Sequence, residues 1–186
     1  MDGIDGLASI EAVTVCLGAV LLYFVSGFQQ LIWGPLLLAF AVCGFLYWNF
    51  PPARIFMGDA GSGFLGVMLA IFSLQAANAL SSFFWCWLIL LGVFIVDATF
   101  TLIRRLLRGD KVYEAHRSHA YQFASRRFGN HFSVTVTVGL INIFWLLPIA
   151  YLVITGFIDG VVALLIAYVP LVFVAVKYNA GGVEVR

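Results

Sequence analysis

Charged residues are confined to a few short segments of this 186-residue chain, and the stretches between them are long and apolar. Residues 12–53 contain no Asp, Glu, Lys or Arg, and neither do residues 60–96, 128–158 and 160–176. An α-helix rises about 1.5 Å per residue and the bilayer core is about 30 Å thick, so about 20 apolar residues cross it once. Because 63% of the residues are hydrophobic and only 10% are charged, we predict an all-α integral membrane protein.

The two longest uncharged stretches are each long enough for two crossings. Polar turn sequences interrupt them, "SGFQQ" at 26–30 and "QAANALSS" at 75–82. We therefore predict about six transmembrane helices in a single membrane domain, residues 1–186, joined on one side by loops 50–61 and 104–131. The predicted helices lie near 11–27, 31–49, 62–79, 83–103, 132–154 and 158–177.

The positions of lysine and arginine predict the orientation. With the N-terminus in the cytoplasm, six helices place both loops and the C-terminus on the same side, and all ten Lys and Arg residues fall there. Cytoplasmic loops are enriched in these residues, so both ends of the chain are expected in the cytoplasm. The sequences "MDGIDG", "RIFMGDAGSG" and "EAHRSHAYQ" then share a cytoplasmic face, which predicts a polar site there.

Asp59 lies in "GDAGSG", where a helix is predicted to begin at Ser62 or Gly63. Two interpretations stay open. The carboxylate could cap the helix. Alternatively, it could hold Mg²⁺ while the glycines let a phosphate approach the backbone, with Arg54 and the helix amides adding positive potential. No Lys-Ser or Lys-Thr follows the glycines, so the segment is not a P-loop.

Asp2 and Asp5 are three residues apart in "DGIDGL" and share a face if the segment is helical. They could complement the dipole of a helix that begins near Ser9, or they could lie beside a cation and serve phosphoryl chemistry.

His116 and His119 are also three apart, with Arg117 between them. One interpretation is a solvated basic loop. The other is a clamp for an anionic headgroup or a pyrophosphate, to which three preceding arginines would contribute: Arg104, Arg105 and Arg108.

Asp97 is an ionisable residue within a predicted span, which makes it a functional candidate by default. Thr101 and Arg104 follow at i+4 and i+7 on the same face, so an intrahelical ion-pair network is the alternative. His131 has no partner in the sequence and is assigned no role.

Three motifs together carry a resemblance to a known family. "DGIDGLA", "ARIFMGDAGSGFLG" and "HRSHAYQ", in this order between apolar helices, resemble the polyprenyl-phosphate N-acetylhexosamine-1-phosphate transferases of glycosyltransferase family 4. The similarity is closest to the bacterial enzymes that initiate O-antigen or related surface-polysaccharide synthesis. It implies a multi-pass enzyme of the bacterial inner membrane that transfers an N-acetylhexosamine 1-phosphate from a UDP-sugar to polyprenyl (undecaprenyl) phosphate and releases UMP.

The resemblance also implies roles for individual residues. Asp59 is expected to bind Mg²⁺, or Mn²⁺ in its place, and four residues are expected to be catalytic: Asp2, Asp5, His116 and His119. A further four are expected to bind substrate: Arg54, Gly58, Ser62 and Arg117. A direct displacement by the lipid phosphate is expected, with a two-step route through an aspartyl nucleophile as the alternative.

The expected partners are the bilayer, a UDP-N-acetylhexosamine, the polyprenyl phosphate lipid and a second copy in a homodimer, with no nucleic acid. Members of the family are longer and carry an aspartate-rich motif upstream. Met1 is therefore expected to be an internal methionine and the chain alone to be inactive. The alternative function is a transporter or channel subunit, although the inverted repeats that favour it are not found in the sequence.

Overall fold

The computed structural model describes residues 3–110 and 118–182, and every regular element in these residues is helical. This confirms the all-α prediction. In chain order the elements are α1 (Leu7–Val25), a 3₁₀ turn (Gln29–Leu31), α2 (Trp33–Asn49), α3 (Gly58–Ala79), α4 (Ser81–Leu90), α5 (Gly92–Leu107), α6 (Ala120–Phe128), α7 (His131–Ile141), a π-helical segment (Asn142–Leu146), α8 (Leu147–Ile154) and α9 (Gly160–Lys177).

Five helical stretches in the described residues are long and apolar enough to cross a membrane. They are Leu7–Val25, Gln29–Asn49, Gly58–Ala79, His131–Ile154 and Gly160–Lys177, and the bent pair α4–α5 makes a sixth if it is counted as one span. The chain is therefore a multi-pass membrane protein, as predicted.

The expectation of one continuous helix near 83–103 is wrong. Helices α4 and α5 meet at Leu91 with a bend of 70°. The Tyr168 hydroxyl donates to the Leu88 carbonyl at 2.8 Å, and a straight helix would direct the Gly92 N–H to that same carbonyl. A contact from α9 therefore satisfies a carbonyl at the break.

Two helices begin earlier than predicted. Helix α1 starts at Leu7, directly after Gly6, which has the positive φ of 71° that glycine adopts without strain. Helix α3 starts at Gly58. The prediction placed this start too late because the first turn consists of small and polar residues that give no apolar periodicity.

Helix α6 lies within the predicted loop 104–131. Its buried face includes Ala120, Tyr121 and Ala124, whereas Arg126 and Arg127 lie in its last turn. The helix ends at Phe128 and is followed by Gly129, and α7 begins at once because the Asn130 side chain accepts the Ser133 N–H at 2.9 Å. This predicted loop therefore holds an amphipathic helix that packs against the bundle.

Helix α1 forms the centre of the bundle. Of its membrane-length window 61% is buried, against 17% for the windows that contain α2 and α3, so those two helices lie on the periphery. The largest buried side chain is Trp87 of α4, whose indole N–H donates to the hydroxyl of Tyr23 at 2.7 Å. Phe83 packs edge-to-face on Tyr23, and these contacts fix α4 against α1.

The polar segments gather at one end of the bundle. Asn49, the last residue of α2, accepts the Gly6 N–H and the Ser9 hydroxyl through Oδ1, both at 3.1 Å. The turn after α9 joins the segment before α6, because Gly181 donates its N–H to the Ser118 carbonyl. Ile4, from the segment before α1, and Tyr121, from α6, belong to one apolar cluster.

Candidate functional site

Asp5 connects three parts of the chain. One carboxylate oxygen, Oδ2, accepts the backbone N–H of Ala53 at 3.1 Å, and the other, Oδ1, lies 3.1 Å from Nδ1 of His131. The Asp5 carbonyl accepts the Thr135 hydroxyl at 2.7 Å. The start of the chain, the α2–α3 connection and α7 therefore meet at this residue.

Asp5 lies in a turn before α1, and the first turn of α1 contains no acidic residue. For Asp5 the helix-dipole interpretation is therefore wrong, because its carboxylate contacts Ala53 and His131 instead, and the helical spacing proposed for the aspartate pair does not apply to it. Asp2 lies outside the described residues, so its predicted role stays a prediction.

His131 is a candidate site residue that the sequence did not identify. Its Nδ1 atom lies near both the Asp5 carboxylate, at 3.1 Å, and the Asp5 N–H, at 3.4 Å. A single ring nitrogen cannot donate and accept at once, and the shorter contact favours a protonated Nδ1 that donates to the carboxylate. The only feature of the sequence that could have indicated His131 was its position near the start of a predicted span, on the same predicted face of the membrane as the other polar segments.

The connection from α2 to α3 is held by Asn49 and Trp48. Asn49 donates through Nδ2 to the Ile55 carbonyl at 2.9 Å, and Arg54 donates its N–H to the Trp48 carbonyl at 2.8 Å. The exposed guanidinium of Arg54 lies over the Trp48 ring, 5.6 Å from its centroid. Arg54 thus directly follows Ala53, whose N–H binds the Asp5 carboxylate, and its side chain is exposed.

Asp59 lies exposed in the first turn of α3. The residue before the helix is Met57, so the interpretation of Asp59 as an N-cap is wrong. Ser62 donates its hydroxyl to the Asp59 carbonyl at 3.3 Å. A Cβ at Gly58 would have no heavy atom within 4 Å, so there is open space beside its Cα.

A single exposed carboxylate is compatible with Mg²⁺ or Mn²⁺. In the described part of the chain, no three His, Cys, Asp or Glu side chains cluster as a metal site. Mg²⁺ usually binds one or two carboxylates together with substrate phosphates and water, rather than a complete protein cage. The chemistry of Asp59 therefore fits one protein ligand of such an ion.

His119 is held by Asp97 of α5. Nδ1 of His119 lies 2.9 Å from Asp97 Oδ2, and the other carboxylate oxygen accepts the Ala120 N–H at 2.7 Å. Asp97 is buried, as expected for a functional candidate, but its partners are on another segment. The prediction of an ion-pair network within α5 is therefore wrong, since Arg104 donates instead to the Asn179 side chain at 2.7 Å.

Tyr121 packs flat on His119, with ring centroids 5.1 Å apart and planes within 7°. Burial, with a smaller contribution from Asp97, raises the pKa of Tyr121 above its usual range, so the phenol stays protonated. Gln122 accepts the His119 N–H through Oε1 at 3.2 Å. The backbone and the ring of His119 are thus both fixed, while His116 and Arg117 lie outside the described residues and their roles stay predictions.

The N-terminal segment lies directly against the His119 segment. A Cβ on Gly3 would lie 2.7 Å from Nε2 of Gln122, so a larger residue at this position would displace the glutamine. Ile4 and Tyr121 belong to one apolar cluster. The sequences "DGIDG" and "HAYQ" are therefore neighbours in space, although more than a hundred residues separate them.

The three arginines of the expected anion clamp bind other parts of the protein. Arg104 donates to Ala180 at 2.9 Å and Arg108 to Gly181 at 2.7 Å, in each case to the carbonyl. Arg108 also pairs with Asp110 and lowers the pKa of that carboxyl, and Nε of Arg105 lies 3.7 Å from it. These arginines therefore anchor the turn after α9 and the end of α5, and their part in an anion clamp with the His116–Arg117 segment, which lies outside the described residues, stays a prediction.

Comparisons with known proteins agree with the motifs. Residues 1–77 match the model of glycosyl transferase family 4. The chain is 40% identical over 124 residues to a probable undecaprenyl-phosphate N-acetylglucosaminyl 1-phosphate transferase of Bacillus subtilis, which covers 65% of the chain and 34% of the relative. It is 35% identical over 158 residues to a phospho-N-acetylmuramoyl-pentapeptide-transferase of Chlamydia muridarum, which covers 77% of the chain and 46% of the relative.

A third relative, from Thermotoga maritima, is an undecaprenyl-phosphate alpha-N-acetylglucosaminyl 1-phosphate transferase, 28% identical over 81% of the chain and 46% of its own length. The chain thus spans less than half the length of each of these relatives. No solved structure matches it. On the motifs and these matches, the chain belongs to the polyprenyl-phosphate N-acetylhexosamine-1-phosphate transferase family and corresponds to part of its longer members.

Proposed function

We propose that the protein to which this chain belongs transfers an N-acetylhexosamine 1-phosphate from a UDP-sugar to polyprenyl phosphate and releases UMP. The observation that carries this proposal is the convergence of the family's motifs at one end of the bundle. Asp5 binds Ala53 and His131, and the segment around Asp5 packs on that of His119.

The chemistry requires that two anions meet. A phosphate monoester has a second pKa of about 6, so the lipid phosphate is mostly a dianion at neutral pH and needs little help from a base. Its oxygen attacks the β-phosphorus of the UDP-sugar, and the bond from that phosphorus to the bridging oxygen breaks with UMP as the leaving group. The protein therefore has to position the reactants and offset their repulsion.

The described residues divide this work. Asp59 supplies a carboxylate ligand in the first turn of α3, and Asp5, fixed from two sides, orients the nucleophile, the metal or the sugar nucleotide. His119, in its charged form, offers the N–H of its Nε2 atom as a donor to a phosphate oxygen. A bound Mg²⁺ or Mn²⁺ would supply positive charge to the phosphate oxygens. We assign substrate binding to three residues of the segment around Asp59: Arg54, Gly58 and Ser62. The predicted roles are kept for Asp2, His116 and Arg117.

The substrate is proposed as a class. The relatives' names contain N-acetylglucosamine in some cases and N-acetylmuramoyl-pentapeptide in others, and the shared unit is an N-acetylhexosamine. Surface-polysaccharide synthesis, O-antigen included, is proposed as the process that begins with this transfer. The polar end of the bundle is proposed to face the cytoplasm from a bacterial inner membrane, and the homodimer stays a prediction.

The test is UMP release from a panel of UDP-N-acetylhexosamines in membranes that contain polyprenyl phosphate. The 186-residue chain should be assayed beside a polypeptide extended upstream through its reading frame. Lipid-dependent UMP release by either polypeptide supports the proposal, and none from either one contradicts it. The comparisons give no support to the alternative of a transporter or channel subunit.

A further inference from the structure

We propose that Asp97 is a positioning residue that fixes the tautomer and the orientation of His119. The inference rests on the proposed function for its effect on catalysis, but the tautomer can be measured without any activity. It assigns a role to a carboxylate of α5 that lies outside the three motifs.

Both oxygens of Asp97 are used by one short segment. Oδ2 contacts the ring of His119 and Oδ1 accepts the next backbone N–H, that of Ala120. Asp97 is 5% exposed, and a buried carboxylate needs donors to offset its lost hydration. An ionised Oδ2 can only accept, so Nδ1 of His119 has to carry the proton.

This arrangement determines what the other ring nitrogen can do. With the proton at Nδ1, the Nε2 atom bears the lone pair in a neutral ring and the second proton in a charged one. The Tyr121 ring stacked on the imidazole restricts its rotation. Asp97 therefore acts on the substrate through His119 and does not contact the substrate itself.

An Asp97→Asn variant separates positioning from structural support. The amide keeps one oxygen that can accept the Ala120 N–H, so the start of α6 stays capped. Its NH₂ group would face Nδ1 and require a lone pair there, which moves the ring proton to Nε2. The matched control is Thr101→Val, because Thr101 lies one turn further on the same face, is 1% exposed, and its hydroxyl has no hydrogen-bond partner among the described residues.

The first measurement is long-range ¹H–¹⁵N correlation NMR of the intact chain, labelled with ¹⁵N-histidine in nanodiscs at an alkaline pH where imidazole is neutral. A His119→Gln variant assigns the signal. We expect the Nδ1–H tautomer in the parent and in Thr101→Val, and the Nε2–H tautomer in Asp97→Asn. An Nε2–H ring in the parent, or the same tautomer in parent and Asp97→Asn, would overturn the proposal.

The second measurement is a double-mutant cycle on UMP release. Asp97→Asn should lower the turnover by about 10- to 100-fold, as for other groups that orient a reacting side chain, with little change in KM for the UDP-sugar. In a His119→Gln background the same substitution should cause no further loss, and an additive loss would contradict action through His119. If no polypeptide releases UMP, the proposed function fails while the NMR measurement still decides the role of Asp97.

Discussion

Oδ1 of Asp5 and Nδ1 of His131 lie 3.1 Å apart although 126 residues separate them in the chain. The contact joins the turn before α1 to the first residue of α7. Because Asp5 also accepts the Ala53 N–H, its carboxylate is oriented by two elements that the sequence places far away. A carboxylate oriented in this way suits the phosphoryl transfer that we propose.

We expect His131→Ala to lower UMP release by about 10- to 100-fold, because the carboxylate of Asp5 loses one of its orienting partners. Asp5→Ala should cause a larger loss, since it removes the carboxylate itself. The measurement is the initial rate at saturating UDP-sugar. His131→Asn, which can still donate to the carboxylate, should recover part of the rate, and equal rates for His131→Ala and the parent would show that this contact has no role.

We expect Asp59→Asn to lose most of the transfer activity at every Mg²⁺ or Mn²⁺ concentration while its thermal unfolding stays unchanged. The amide is a weaker ligand for a hard cation, and the exposed side chain contributes little to packing. Asp159→Asn is the matched control: Asp159 caps α9 by accepting the Val161 N–H at 2.8 Å, and asparagine caps equally well. Normal turnover of Asp59→Asn would remove Asp59 from the metal site.

The orientation in the membrane can be tested by labelling with an impermeant maleimide. Cys16 and Cys86 are buried and Cys43 is exposed, so a Cys43→Ser background is required. In intact cells without an outer-membrane barrier, Gln30→Cys, in the turn between α1 and α2, should be labelled from outside. Arg127→Cys should be labelled only after lysis, and the reverse pattern would invert the proposed orientation.

The spans were predictable because uncharged runs of membrane length leave few alternatives. The bend between α4 and α5 was not, since it coincides with a contact from Tyr168 of α9 and not with a proline. Asp97 was recognised as a candidate from its place in a span. Its partner His119 follows 22 residues later, and helical spacing within α5 therefore pointed to the wrong residues, Thr101 and Arg104. His131 was recognised as a candidate only from its contact with Asp5 in the structure.

The structure also contains a buried polar cluster that the sequence did not reveal. Glu11 of α1 is 0% exposed and accepts Nδ2 of Asn142 at 2.6 Å, and the same Nδ2 lies 2.8 Å from the Thr14 hydroxyl. Asn142 is the first residue of the π-helical segment. The cluster joins α1 to the span that begins at His131. Removal of the cluster should therefore also weaken the contact between Asp5 and His131.

We expect Asn142→Leu to destabilise the protein by about 1–3 kcal/mol, because Glu11 would lose a donor in an apolar interior. Glu11→Gln should cost less, since its amide oxygen can still accept from Asn142. The double variant Glu11→Leu/Asn142→Leu should be close to the parent, as apolar replacement of both partners removes the unpaired group. The free energy of unfolding is measured by reversible unfolding in mixed micelles for the parent and the three variants. Equal stability of Asn142→Leu and the parent would show that the pair does not support the fold.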